Sequence, residues 1–303
     1  MIFEEKDLAN EDSFREWSVK AHGSHVIALI VIRNPPLSLA ADLLAPLKDA
    51  NIPTLVYNNN SDDGVFASLG NSGSLLLSSD TNQGLAIPLT KALSIAQRLN
   101  SQWLWYFDQD SRISDELVEE QINSLNHSAS DIAQVAVTYI DKNIGRAGYS
   151  ARSRIRVPTT PIGSGSAFRV QACLTVGGIE PRLPLDMWDF EMSLRLQSRG
   201  YRVVVNPRTC MLHAVGNGVE LRVFGANLVE EGHPPWRYEF KTRATYLVVT
   251  RYWRKYPKWC FRHIINRVVG FLVALLSRTD RREVFSYILR GALIWRPTSL
   301  PVP

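Results

Sequence analysis

The chain has 303 residues, 45% of them apolar and 21% charged, an ordinary balance for a soluble globular protein large enough to bury a substantial core. Its three cysteines (Cys173, Cys210, Cys260) form no C-x-x-C pattern and read as reduced thiols, the acidic N-terminus lacks the pattern of an export signal, and the longest clean apolar run, Val268 to Leu276, falls far short of the roughly 20 residues of a spanning helix. The net charge of +5 is uneven: residues 237–290 hold 13 Lys plus Arg against 3 Asp plus Glu, so the remainder is acidic.

Residues 1–24 are polar and predict no element. Val26 to Ile32 is a continuous β-branched run ending at Arg33-Asn34-Pro35, as in a buried parallel strand that feeds a loop. Helical spacing over Leu39 to Ala50 and a second short strand over 53–57, ending in Asn58-Asn59-Asn60, complete a βαβ unit. A short apolar stretch at 74–77, a helix over 88–100, the strand Trp103 to Phe107, a helix over 114–125 with Ser114 as its cap, and a strand over 132–140 follow. Residues 141–161 read as a long basic surface loop, 189–199 as an amphipathic helix closed by Gly200, and 201–205 as another strand.

The candidate chemistry sits at the ends of these elements. Asp108 and Asp110, in FDQDS, follow a buried strand where it leaves the sheet, and acids at i and i+2 of an extended backbone point the same way. They can share one hard divalent cation, or divide a metal and a sugar hydroxyl between them; a solvated Asx turn is the plainer alternative. Asp186, Asp189 and Glu191 gather at a helix N-terminus, where acids also merely favour the dipole. His213 stands alone after a strand, a place where most histidines are structural.

In order, these parts resemble the family 2 glycosyltransferases of the GT-A fold, and within them the rhamnosyltransferases of bacterial polysaccharide synthesis. The resemblance rests on VIRNP at 31–35, YNNNS at 57–61, NQGLAIPL at 82–89, FDQDS at 107–111, SGS at 164–166, VGG at 176–178, LPLDMWDFE at 183–191, LRLQSRGY at 194–201 and HAVG at 213–216. It implies an α/β fold with a Rossmann-like, mostly parallel sheet flanked by helices and a C-terminal helical extension. It also implies an inverting, metal-dependent transfer of L-rhamnose from dTDP-rhamnose to a cell-surface polysaccharide or lipid-linked glycan. Asp189 then aligns with the general base. Asp110 and His213, with Asp108 toward the ribose or a metal-bound water, align with the ligands of Mg²⁺ or Mn²⁺. Arg33, Asn34, Asn58, Asn59, Asn82, Gly84, Asp108 and Gln109 align with the nucleotide-sugar site. Asp186 and Glu191 are expected to orient the acceptor, and Trp188 to wall the sugar pocket. Asn58 replaces the acid usual after the second strand, and an amide can both donate and accept in its place. Another nucleotide sugar on the same scaffold, or a non-catalytic nucleotide-binding protein, are the alternatives.

The sequence divides into a transferase domain over 1–235 and a basic helical region over 236–303, with helices over 236–240, 242–254, 259–277 and 281–293. Aromatic and aliphatic residues alternating with Arg and Lys suit a surface lying on anionic lipid, or equally a helical subdomain packed on the core. No nucleic-acid motif accompanies the charge. The expected location is cytoplasmic, at the inner face of the plasma membrane.

Overall fold

The structure, a computed structural model, describes residues 11–36, 38–61, 73–143, 145–147, 158–214, 219–223, 226–230 and 232–293. The first half of the chain forms α1 (Glu11–Ala21), β1 (Val26–Ile32), α2 (Ala45–Asp49), β2 (Thr54–Asn59), β3 (Leu75–Ser79), α3 (Ala86–Arg98), β4 (Trp103–Asp108), α4 (Asp115–Asn126) and β5 (Ile132–Asp141). There follow β6 (Arg146–Ala147), β7 (Ala167–Arg169), α5 (Val170–Thr175), α6 (Trp188–Ser198), β8 (Arg202–His213) and the hairpin β9 (Val219–Val223) with β10 (Ala226–Glu230). The C-terminal part is three helices, α7 (Arg237–Tyr252), α8 (Pro257–Ser277) and α9 (Arg281–Leu293).

Eight strands form one mostly parallel sheet in the order β3-β2-β1-β4-β7-β5-β6, with β8 also paired to β5. Strands β1 to β4 run parallel, β7 is reversed against both β4 and β5, and β8 is parallel to β5. All seven residues of β1 are buried, which is why its sequence reads as unbroken apolar rather than alternating. Ile27, Leu29, Leu104 and Tyr106 face one core layer, under α1, α3 and α6; Ala28, Ile30, Trp103, Trp105 and Phe107 face the other, against α2 and α4.

Local chemistry explains the element ends. Ser114 accepts from the Leu117 N–H at 3.3 Å and caps α4, as its position predicts. The helix expected over 39–50 is a π-helical turn at Ala40–Leu44 before α2: Pro46 has no N–H for the Asp42 carbonyl that a continuous helix would bond, and that carbonyl accepts from the Ile113 N–H at 3.1 Å instead. The strand expected to stop at Val205 continues to His213. Its register shifts between Asn206 and Cys210, at Pro207, which cannot donate to the ladder. α1, the short strands β6 and β7 and the β9–β10 hairpin were not legible in the sequence, and most of the loop expected over 141–161 lies outside the described residues.

The two blocks expected at 1–235 and 236–303 share a core. Ala244, Val248, Tyr252, Trp259 and Cys260 join the sheet's main apolar cluster, while Tyr238, Ala274 and Val284 pin α7, α8 and α9 together. The segments expected as two helices over 236–254 are the single helix α7. Of the described residues one helix, α8, is long and apolar enough to cross a membrane by length and composition, with mean hydropathy 1.4. Counting uninterrupted apolar residues missed it, because polar and charged side chains punctuate it. Trp259, Cys260, Val273 and Ala274 turn its inner face onto the protein.

Candidate functional site

The parallel register sets the carboxyl ends of β1, β2, β3 and β4 level: Ile32 lies beside Asn58, Val31 beside Asp108, and Asn59 beside Ser79. Open parallel sheets bind ligands at such an edge. Three side-chain amides hold its loops. Gln109 accepts from the Arg33 N–H at 2.6 Å and donates to the Arg33 carbonyl at 3.1 Å, tying the FDQDS turn to the end of β1. Asn59 is 4% exposed, donates to Asn82 Oδ1 and the Gly84 carbonyl at 2.9 Å each, and accepts from the Gln83 N–H at 2.7 Å. Asn58, also buried, accepts from the Ser61 N–H at 2.8 Å, and Ser61 in turn accepts from the Asn34 N–H. The nucleotide-site candidates Arg33, Asn34, Asn58, Asn59, Asn82, Gly84 and Gln109 therefore do converge, and the two buried asparagines spend their amides on shaping loops.

Across the edge, the backbone of Arg112 pairs with Leu212 in both directions, at 2.8 and 3.1 Å, and this brings the turn after β4 to the end of β8. Asp108, Asp110 and His213 thereby offer ligand atoms all within 4.8 Å of one another. His213 Nδ1 lies 3.2 Å from Asp110 Oδ1 and 3.1 Å from Ser111 Oγ, and its Nε2 is 3.9 Å from Asp108 Oδ2. Ser164 Oγ contacts Ser111 Oγ at 2.7 Å and accepts from the Asp108 N–H at 2.9 Å, and the Tyr106 hydroxyl donates to Asp108 Oδ1. Burial and then the neighbouring Asp110 raise the pKa of Asp108, against the pull of His213. Burial lowers that of His213, yet the Asp110, Asp108 and Asp141 carboxylates outweigh it and raise the net value.

Do these residues fit a divalent cation? Asp110 Oδ1 is buried, and the approach of His213 Nδ1 at 3.2 Å lacks hydrogen-bond geometry, a costly state for a carboxylate oxygen that a cation shared by the two would relieve. Two carboxylates with one imidazole make a donor set suited to Mn²⁺ and, with added water, to Mg²⁺.

Asp189 opens α6 one residue after Trp188. Its Oδ2 accepts from the Gly163 N–H at 2.9 Å and its Oδ1 from the Phe190 N–H at 2.8 Å. Burial, and more weakly the charge of Asp108, push its pKa up to about 7 against those two donors. The preceding Met187 is left-handed, with φ 64°, a strained conformation of the kind that clusters at functional sites. Gly163 has no room for a side chain, since a Cβ would come within 2.3 Å of the Trp188 ring. Gly84 is equally confined, with φ +65° and a Cβ position 2.4 Å from the Pro184 carbonyl oxygen, so the 82–84 loop rests on the segment leading to Asp189.

The neighbours of Asp189 take other places than expected. Trp188 is 4% exposed, edge-on to Tyr106 at 5.2 Å and tilted against Phe168, a core residue rather than a pocket wall. Glu191 is fully buried and cannot reach an acceptor. It pairs with Arg195 at 2.8 Å and Arg251 at 2.6 Å and accepts from the Tyr252 hydroxyl at 2.9 Å. Asp186 forms a two-pronged pair with Arg237 at 3.3 and 3.4 Å; burial raises its pKa, but Arg237, Lys241, Arg267 and His233 outweigh burial and lower it. Sequence reasoning assigned no roles to Tyr106, Ser111, Gly163, Ser164 or Lys142, whose ammonium sits 3.1 Å from the Asp110 carbonyl. The FDQDS and SGS motifs contain two of these, Ser111 and Ser164, without saying what they touch.

A family model described as "Glycosyl transferase family group 2" matches residues 103–296. Among curated proteins, the dTDP-rhamnosyl transferase RfbF of Shigella flexneri is 25% identical over 242 residues, 75% of this chain and 81% of that one. Among solved structures, S. aureus TarS (residues 1–349) with UDP-GlcNAc superposes with a TM-score of 0.56 at 12% identity, over 86% of this chain and 79% of the other. The same protein with UDP gives 0.53 at 13% identity, over 84% and 72%.

Proposed function

The chain belongs to glycosyl transferase family group 2 and has the GT-A fold, and from that premise we propose an inverting, metal-dependent transfer of L-rhamnose from dTDP-rhamnose. The acceptor is a cell-surface polysaccharide or a lipid-linked glycan. The observation that carries this reading is the meeting of Asp108, Asp110 and His213 at the sheet edge, with Asp189 held by main-chain N–H groups beside them. Rhamnose is supported by the similarity to the Shigella dTDP-rhamnosyl transferase, and a nucleotide at this edge by the UDP and UDP-GlcNAc complexes of TarS.

Asp110, His213 and Asp108 would hold the divalent cation, which supplies positive charge where the departing diphosphate becomes more negative. Tyr106 and Ser164 fix Asp108, and Ser111 fixes the His213 ring. The 33–34, 58–61 and 82–84 loops and Gln109 shape the nucleoside pocket. Asp189 takes the proton of the attacking acceptor hydroxyl on its carboxylate. With a pKa of about 7 it is basic enough to do so and is about half ionised at neutral pH. A single direct attack with one base inverts the anomeric carbon.

The outer side of α8 and α9 supports docking on the inner face of the plasma membrane as part of this reading. Phe261, Ile265, Val268, Leu272 and Leu276 form an exposed apolar stripe along α8, and Phe285, Leu289 and Leu293 extend it on α9, within the basic region. Anionic lipid fits that combination.

The test is donor hydrolysis and transfer across a panel of dTDP- and UDP-sugars, with and without Mn²⁺. The reading expects turnover of dTDP-rhamnose that needs the metal and is lost in Asp110→Ala. Turnover of UDP-sugars alone would overturn the donor assignment, and full turnover in EDTA would overturn the metal assignment.

A further inference from the structure

A cavity of about 240 Å³ lies between α6, α7 and α8 and has no part in the chemistry above. Phe190, the residue after Asp189, forms one wall; Lys241 of α7 and His263, Asn266, Arg267 and Gly270 of α8 form much of the rest. Among the described residues no acid lines it. Lys241 is only 3% exposed, so its ammonium is withdrawn from bulk water. Arg267 has a buried Nε without a hydrogen-bond partner among the described residues, while its guanidinium lies over the Phe271 ring at 5.8 Å. His263 stacks flat on Trp259 at 4.9 Å and meets Phe190 edge-on at 5.8 Å, so aromatic rings fix the wall. Asp186 feels the charges of Arg237, Lys241 and Arg267, three cations to one carboxylate. A buried ammonium and a half-buried guanidinium at a small cavity, with a side-chain amide at its rim, are the chemistry of an anion site.

We propose that this cavity binds a phosphate or diphosphate group carried by the acceptor, with Arg267, Lys241 and Asn266 as its donors. The assignment rests on the transferase reading, since Phe190, which walls the cavity, follows the base Asp189 in the first turn of α6, and the acceptor's anionic group would then dock on the helix that carries the base. The volume suits a headgroup rather than a nucleotide sugar. The exposed stripe Phe261, Ile265, Val268, Leu272 lies on the opposite side of α8. A membrane under that stripe would therefore lie about one helix diameter, roughly 10 Å, from the cavity.

The experiment is calorimetric titration of inorganic pyrophosphate into the full chain, in EDTA and without donor, so that the Asp108–Asp110–His213 site cannot contribute through a metal. Arg267→Gln should weaken pyrophosphate binding at least tenfold, and Asp110→Asn should leave it unchanged. Gly270→Leu is the second variant, because a Cβ at Gly270 meets nothing within 4 Å and the longer side chain fills the cavity without touching a charge. It should abolish binding while the protein keeps its thermal unfolding midpoint. Competition separates the sources: phosphatidylcholine vesicles doped with a polyprenyl diphosphate displace pyrophosphate if the group is a lipid headgroup, and a soluble sugar phosphate displaces it if it is not. Parental affinity in both cavity variants, loss of binding only in Asp110→Asn, or no binding by the parent overturns the proposal. Donor hydrolysis in the same preparations reports on the transferase reading separately, because it needs no acceptor.

Discussion

Asp189 is balanced between burial, which favours its neutral form, and two main-chain N–H groups that favour its charge. Because the base works only when ionised, kcat/KM should rise with pH through about 7 and level off above it, and a pH–rate profile checks this. Asp189→Asn should fold normally and lose transfer by at least about 100-fold, the usual scale of a removed general base. Gly163→Ala is expected to be worse than its one carbon suggests. The methyl group would meet the Trp188 ring, cost about 1–3 kcal/mol in denaturant unfolding, and shift the N–H that Asp189 accepts from. The motifs of the family resemblance singled out Asp108, Asp110, Asp189 and His213 as candidates, and the fold brings Asp108, Asp110 and His213 together. That Ser164 and Tyr106 hold Asp108 was not legible in the sequence, since those contacts span strands far apart in sequence or depend on which face a strand presents.

Between elements, the clasp from α6 to α7 has the most at stake. Arg251 reaches Glu180 at 2.7 Å and Glu191 at 2.6 Å, while Arg182 holds Glu180 and Arg195 holds Glu191. Arg195 also donates to the Val176 and Gly178 carbonyls, which explains why the VGG turn and the LR pair travel with the acids. Arg251→Met leaves two buried carboxylates short of a partner and should destabilise the protein by about 3 kcal/mol or more in denaturant unfolding. Burial raises the pKa of Glu180, but Arg182 and Arg251 bring it down to about 2 from an ordinary 4.5. Its stabilisation is thus complete above pH 4.5 and lost as pH falls toward 2, so acid unfolding should begin at higher pH in Arg251→Met. The sequence put Glu191 at a site because its helix opens with Asp189; a 3.6-residue repeat turns it inward instead.

Over the whole molecule, the basic C-terminal helices are both a wall of the core and a face left to the surroundings. A chain truncated at residue 236 should therefore fail to fold cooperatively, as it loses Val248, Tyr252, Trp259 and Cys260 from the main core and the partners of Glu191 and Asp186. Leu272→Glu, at a site 52% exposed, should leave stability within about 0.5 kcal/mol and reduce co-sedimentation with anionic liposomes. Unchanged sedimentation would remove the membrane from the reading.

The sequence by itself determined the order of strands and helices from β1 to β5, the buried character of β1 and β4 and the positions of the acids, because these depend on local periodicity and on motifs a few residues long. It did not determine that α7 and α8 close the core, that Trp188 and Glu191 are buried, or that a cationic cavity forms between α6, α7 and α8. Those depend on which faces meet across separations of 50 residues and more, as from Asp186 to Arg237 and from Glu191 to Arg251. Packing chooses between the two faces of an amphipathic helix, and only the folded chain brings the competing surfaces together.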